Sequence, residues 1–358
     1  MITYILRKIT YALFVLWGVL TLVFFLFNVL PGDPARMMLD KREDSEQLTI
    51  IKKKYGFDRS IGAQYALYLN DVSPISFHSI RDNSFTSLSN GKYQFVSLFS
   101  IFDYKLVLKA PYLRESFVKT GTPVSVIVLS TFKNTFVLAL SSIIISLFLG
   151  LILGVFSALY KGTLFDDLVL FFSVFGMSLP SFLASIIIAW FFGFVLHEIT
   201  GLNMTGSLYE IDDYGRGVFL KIENLILPAL TLAIRPLSVI VQLCRSSLLE
   251  ILSMDYIRTA NAKGLSRFNV IFKHTLSNAL NPVVTAVSGW FASMLAGAVF
   301  VEYIFAWNGI GKEIVDALNK LDLPVVMGSV LFIALVFIII NIIVDLIYGW
   351  LDPRIRFS

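Results

Sequence analysis

Apolar residues run in long unbroken blocks along this chain, with the polar residues gathered between them. Six stretches, 9–30, 134–160, 168–196, 224–244, 280–301 and 323–350, are apolar enough to form helices that cross a hydrocarbon layer. About 20 helical residues span the roughly 30 Å that such a layer requires. Four of the six contain no Asp, Glu, Lys or Arg; the exceptions are Arg235 in the fourth and Asp345 in the sixth. Strand-type alternation is absent, which argues against a β-barrel. The pattern predicts an all-α polytopic membrane protein with six transmembrane helices.

Composition supports that class. Of 358 residues, 56% are hydrophobic and 15% charged, and the mean hydropathy is +0.77. A soluble domain carries about a quarter charged residues, so too few are present to clothe a water-facing surface. The 32 Phe and 14 Tyr residues suit a lipid-facing surface with aromatic belts. A soluble enzyme, a disordered chain and a fibrous repeat are disfavoured. The single Cys244 permits no intramolecular disulfide, and a net charge of +4 is no argument for nucleic acid.

The basic residues set the orientation. With the N-terminus inside, cytoplasmic segments hold Arg7, Lys8, Lys161, Arg245, Arg258, Lys263, Arg267, Lys273, Arg354 and Arg356. The two short external loops hold only Arg216, Lys221, Lys312 and Lys320. Both termini are therefore expected in the cytoplasm. The apolar run of 22 residues after Arg7 and Lys8 exceeds a signal-peptide core and reads as a retained first helix.

Three divisions follow: an N-terminal transmembrane helix over 1–30, a large extracytoplasmic segment over 31–133, and a five-helix core over 134–358. Within the second, residues near 72–110 look like an insertion whose KYQFVSLFSIF run suits paired strands, a disordered segment or one that touches lipid. The core contains a basic cytoplasmic loop over 246–279.

Candidate chemistry is sparse. No Walker A, HExxH or GxSxG motif is present, and His78, His197 and His274 are scattered, so neither catalytic nor metal-ligating residues are assigned. Arg235 cannot act as a general acid or base at ordinary pH. A cation at that depth usually faces water or protein, which leaves two readings: a satisfied structural group beside Pro236, or a contact in a translocation path. Pro180, Pro228 and Pro236 interrupt the span pattern either as packing kinks or as hinges. Ser288, Gly289, Ser293 and Gly297 form a small-residue stripe suited to helix association. Asp345, Asp352 and Arg354 are expected to anchor the last helix through ion pairs. In the 246–279 loop, Asp255 is placed to cap a short helix that Gly264 ends in a left-handed turn. That helix is either merely solvated or inserts into a groove on another protein.

The loop sequence DYIRTANAKGLSRFNVIFKHTLSNALNPVVT resembles the coupling loop of permease subunits of bacterial ATP-binding-cassette importers, nearest to their dipeptide/oligopeptide/nickel branch. Arg258, Ala260, Ala262, Lys263, Gly264, Leu265, His274, Asn278 and Pro282 carry the match. So do LPGDP at Leu30–Pro34, YGFDRSIGAQY at Tyr55–Tyr65, SLPSF at Ser178–Phe182, LPAL at Leu227–Leu230, VEYIFAWNGIG at Val301–Gly311 and NIIVDLIYGWLDPRIR at Asn341–Arg356. The chain departs from the branch at Asn308, where Pro is usual, at Gln242, where Arg is common, and in the 72–110 insertion.

The resemblance implies a type I importer permease fold in a bacterial cytoplasmic membrane. It further implies a heterodimer with a second homologous permease, two ABC ATPase subunits that bind ATP and magnesium, and an extracytoplasmic solute-binding protein. No cofactor is expected on this chain. Peptide is the expected cargo, with nickel or another small solute as the alternative. Asp255, Arg258, Ala260, Ala262, Lys263, Gly264 and Leu265 are implied to engage an ATPase. Arg235, Pro180 and Glu302 are candidates for the path or its gate. The contrasting reading, a stand-alone secondary transporter, usually brings internal repeats and intramembrane acids, and neither is evident.

Overall fold

The computed structural model describes residues 2–29, 45–81, 84–88, 92–211, 217–295 and 298–351. Leu30–Pro34, Arg216, Gly297, Asp352, Arg354 and Arg356 lie outside them. The chain divides into two compact units. The first comprises Met1–Lys8, Thr131–Glu313 and Leu335–Ser358; the second comprises Ile9–Ser130 and Ile314–Ala334.

The helices are α1 (Ile2–Val29), α2 (Ser45–Tyr55), α3 (Ile61–Val72), α4 (Val124–Leu159), α5 (Leu164–Ser178) and α6 (Ser181–Trp190), then α7 (Glu223–Leu252), α8 (Asp255–Ala262) and α9 (Ser277–Leu295), and finally α10 (Val299–Ile304), α11 (Ile310–Asn319) and α12 (Leu323–Leu351). Among the described residues, four helices are long and apolar enough to cross a membrane, or five if a bent pair counts as one span. These are α1, α4, α7 and α12, with α5 and α6 as the pair. The expected third span, 168–196, is not one straight helix, because its axis turns by 110° between Ser178 and Ser181. Pro180 has no N–H to continue the ladder, and the residue before a proline is pushed to extended backbone. Leu179 accordingly has φ −73° and ψ 122°. Pro228 and Pro236, by contrast, lie inside the unbroken α7. The expected fifth span, 280–301, falls on α9 and the start of α10, and α9 is not among the four helices that are long and apolar enough to cross a membrane.

Hydroxyls in these helices turn back on their own backbone. Ser142 donates to Leu138 O, Ser146 to Ser142 O and Thr231 to Leu227 O, each at 2.7 Å. Ser173 and Ser238 donate to Val169 O and Ile234 O at 2.8 and 2.9 Å. An unpaired hydroxyl in hydrocarbon would cost several kcal/mol.

In the first unit, α4 and α7 meet through glycine. A Cβ at Gly150 would lie 2.7 Å from Ile240, and one at Gly154 would lie 2.8 Å from Cys244. The two glycines are four apart, so both sit on one face of α4 and let the helices approach closely. Ile240, Cys244 and Leu248 of α7 join Val155 of α4 and Val283 of α9 in one buried cluster. Gly289 has nothing within 4 Å of its added Cβ, so at that position the α9 stripe is not a close contact within this chain. Lys8 pairs with Asp345 of the last helix.

In the second unit, Leu20 and Phe24 of α1 pack on Tyr68 of α3 and Met327 of α12. The 72–110 region contains β1 (Ile75–Ser79), β2 (Phe95–Ile101) and β3 (Tyr104–Lys109), which form an antiparallel sheet of order β1-β3-β2. A polar knot closes the sheet against α3. Buried Asp71 accepts from Tyr93 Oη at 2.8 Å and Arg114 Nε at 2.9 Å, while Lys109 Nζ donates to its backbone carbonyl. Burial lowers Lys109 to about 8 and raises Tyr112 to about 12. Nearby, the buried Asp322 carboxylate accepts from Ser116 Oγ and from the N–H groups of Phe117 and Val118, the latter two at 3.0 and 3.3 Å.

Two outcomes test this packing. Gly154→Val is expected to lower stability by about 1–3 kcal/mol through overpacking, read as the melting temperature in detergent. Gly18→Ala, at a site with nothing within 4 Å, is expected to leave it unchanged. Separately, a lysine lowered from 10.5 to about 8 on folding favours the folded state when neutral. Stability should therefore rise as pH increases from about 8 towards 10 and be lost again as pH falls through 8. Lys109→Met should flatten that window.

Candidate functional site

The expected coupling segment folds as α8, two turns that begin after Met254, whose φ −73° and ψ 148° are those of a cap residue. Asp255 is the first helical residue rather than the cap, so the expected capping role is corrected. Its carboxylate is 95% exposed and meets Arg258 at 3.4 Å, a surface pair that contributes little. Gly264 adopts φ +74°. Its N–H reaches Asn261 O at 3.0 Å and that of Leu265 reaches Ala260 O at 3.4 Å, the double closure of a Schellman turn.

The short helix is anchored, not floating. Ile257 and Ala260, three apart on one face, are buried in the cluster shared by α4, α7 and α9. Ala260 therefore belongs to the attachment and not to the free face. Arg258, Ala262, Lys263, Gly264 and Leu265 remain exposed. Beyond them Phe268 and Phe272 are exposed with ring centroids 4.5 Å apart, an aromatic pair the sequence reading did not single out. The chain returns to α9 through a π-helical turn, Val270–Leu276, in which Thr275 Oγ1 donates to Val270 O at 2.9 Å. Asn278 Nδ2 donates to the backbone carbonyl of His274 at 2.9 Å and to Tyr256 Oη at 3.3 Å, which accounts for Asn278 in the loop pattern.

A buried ion pair stands just before this loop. Arg245 of α7 donates Nε and Nη2 to Asp166 of α5, each at 2.7 Å. Ser157 of α4 and the Gly162 N–H complete the carboxylate's shell. Three helices are tied at one point. Asp166 was not recognised from sequence, where only its place in the first turn of an apolar helix is visible.

The Pro180 break and Arg235 come together. Both flank a cavity of about 250 Å³ lined by Gly176, Leu179, Ser181, Thr231, Arg235, Trp290 and Ser293, among others. Arg235 is exposed and makes no hydrogen bond or ion pair among the described residues. Glu302 does not line this cavity. It is fully buried and accepts from Thr135 Oγ1 at 2.6 Å, Gly311 N at 2.7 Å and Lys312 N at 3.1 Å. Burial pushes its carboxyl up, and the three donors oppose that. Added at Gly311, a Cβ would lie 2.8 Å from Val299 Cα, and one at Gly309 would run into the carboxylate. The NGIG run is thus what lets the segment after α10 fold over Glu302. Trp307 seals it, donating Nε1–H to Asn134 O at 3.1 Å.

Among the described residues, no group of three or more His, Cys, Asp or Glu could hold a metal ion.

Residues 150–357 match the family described as binding-protein-dependent transport system inner membrane component, and residues 1–82 match the N-terminal family of the same membrane components. The chain is 32% identical over 370 residues to the di/tripeptide transport system permease protein of Pseudomonas aeruginosa, covering 99% of each. It is 31% identical over 361 residues to the oligopeptide transport system permease protein of Bacillus subtilis, covering 100% of each. A chain of the MetNI methionine ABC transporter in inward-facing conformations is similar at TM-score 0.49 and 15% identity, over 64% of this chain and 97% of that one.

The ion pair gives a sharp expectation. Arg245→Met leaves the Asp166 carboxylate buried and uncompensated, at a cost of about 3–5 kcal/mol. Adding Asp166→Asn should recover at least half of the lost melting temperature in detergent. Additive losses in the double variant would show that the two groups act separately.

Proposed function

This chain belongs to the binding-protein-dependent transport system inner membrane components, and on that premise we propose that it forms half of the translocation path for peptides in an ATP-driven importer. The observation that carries the reading is α8, an exposed helix with cations at Arg258 and just beyond its end at Lys263, whose other face is locked into the core shared by α4, α7 and α9. Such an element can take a push from outside the membrane and hand it to the spans. The peptide assignment is supported by the names of the full-length relatives, which are permeases for di- and tripeptides and for oligopeptides.

In this reading a second, homologous permease completes the path. Two ATPase subunits, which bind the ATP and magnesium, dock on α8, and a solute-binding protein delivers cargo from outside. Both termini face the cytoplasm, as the distribution of Lys and Arg supports. Arg258 and Lys263 reach carboxylates on the rim of the ATPase cleft, while Ala262, Gly264 and Leu265 enter it. Asp255 contributes the negative first turn that the helix dipole favours. Pro180 is the hinge beside the cavity. Glu302 holds the fold-back segment in place and acts on the gate only through it.

The test uses the complete transporter. Arg258→Glu with Lys263→Glu should cut co-purification of the ATPase subunits and peptide uptake at least ten-fold, about 1.4 kcal/mol or more. Lys221→Glu, a charge change outside the loop, should alter neither. Undiminished ATPase association in the double variant would refute the docking role of α8.

A further inference from the structure

We infer that Arg235 and Trp290 form a receptor for the C-terminal carboxylate of the transported peptide. This rests on the reading of the chain as a peptide permease and assigns the ligand of its cavity.

Arg235 lies in the middle of a 30-residue apolar helix. A cation at that depth is costly unless it meets water or a counter-charge. Yet the cavity it lines contains no Asp or Glu. The same wall carries Trp290, Ser181 and Ser293, and among the described residues none of their side-chain donors makes a hydrogen bond either. That contrasts with Ser142, Ser146, Ser173 and Ser238 elsewhere in these helices, and with Thr231 on the same wall, each satisfied by its own backbone. The cavity is therefore rich in unspent donors and empty of acids, so it is suited to an anion that also accepts hydrogen bonds.

Its size favours a solute over a side chain of a neighbouring subunit. At about 30 Å³ per water, a cavity of about 250 Å³ has room for about eight, more than one intruding carboxylate displaces. A peptide end supplies both the carboxylate for the guanidinium fork and carbonyl oxygens for the indole and hydroxyl donors. The Trp290 ring gives a flat wall that side chains of different shape can lie against, and this fits a site that reads the peptide's end and not its sequence. The 110° turn at Pro180 leaves the first N–H groups of α6 without intrahelical partners beside the same cavity.

The experiment compares radiolabelled trialanine and trialanine amide as cargo. Both are supplied with saturating solute-binding protein to the complete transporter in proteoliposomes, with the binding protein's own affinity for each probe measured separately. Arg235→Gln should lower trialanine uptake about ten-fold, the scale of a charge-assisted hydrogen bond. It should change amide uptake less than two-fold and keep ATP hydrolysis stimulated by the loaded binding protein. Arg235→Lys should restore most of the acid preference. Trp290→Phe, which removes only the N–H, should lower uptake of both probes about three-fold. An unchanged ratio of acid to amide uptake in Arg235→Gln would overturn the inference. Loss of the second permease from the Arg235→Gln complex would also overturn it, by assigning Arg235 to an ion pair between subunits. Failure of the unsubstituted chain to bind the ATPases would instead strike the permease reading itself.

Discussion

Removing a carboxylate from water is the constraint on which the structure is organised. Each of four buried acids, Asp71, Asp166, Glu302 and Asp322, is ringed by donors from segments far apart in the chain. A buried charge without such a ring would cost several kcal/mol, so the segments must converge wherever the acid is placed. Asp71 fastens the sheet to α3, Asp166 joins three helices, Glu302 folds the segment after α10 back on α4, and Asp322 ties the loop before α4 to the start of α12. The apolar surfaces supply most of the driving force. The acids decide which surfaces meet.

The same rule makes the exceptions informative. Ser142, Ser146, Ser173 and Ser238 spend their protons on their own backbones, whereas Arg235, Trp290, Ser181 and Ser293 at the Pro180 turn make no hydrogen bond among the described residues. Unspent hydrogen-bonding capacity gathered on one cavity wall suits a ligand that arrives from outside. The coupling segment shows a parallel division. Ile257 and Ala260 are spent on attachment, and Arg258, Lys263 and Leu265 are left exposed.

Much of this was legible in the sequence. The long apolar blocks marked the helices and Gly264 marked the end of α8, because each reports a local property of the backbone. Proline alone did not single out the break at Pro180, since Pro228 and Pro236 lie inside the unbroken α7. What escaped depended on partners distant in the chain. Asp166 and Arg245 are 79 residues apart, and no periodicity links them. Glu302 read as a candidate for the path or its gate, and only the structure shows the three donors that hold it. Gly150 and Gly154 carry a readable small-residue spacing, but the stripe on α9 drew attention first, and only contact with Ile240 and Cys244 distinguishes them. Asp255 was misassigned as the cap because one residue of register separates a cap from a first turn, and helix ends are rarely fixed that finely by pattern alone. The 72–110 strands lacked clean alternation because β2 is exposed along its whole length.

The attachment of α8 also has a mechanical meaning. Its two buried residues enter the same close-packed cluster as α4, α7 and α9, at a place where glycine has already removed the slack between two of those helices. Interiors packed at this density are barely compressible. A short, stiff crank seated in such a block has almost no backlash, and on the proposed docking role that is what would carry a push on its free face to the spans.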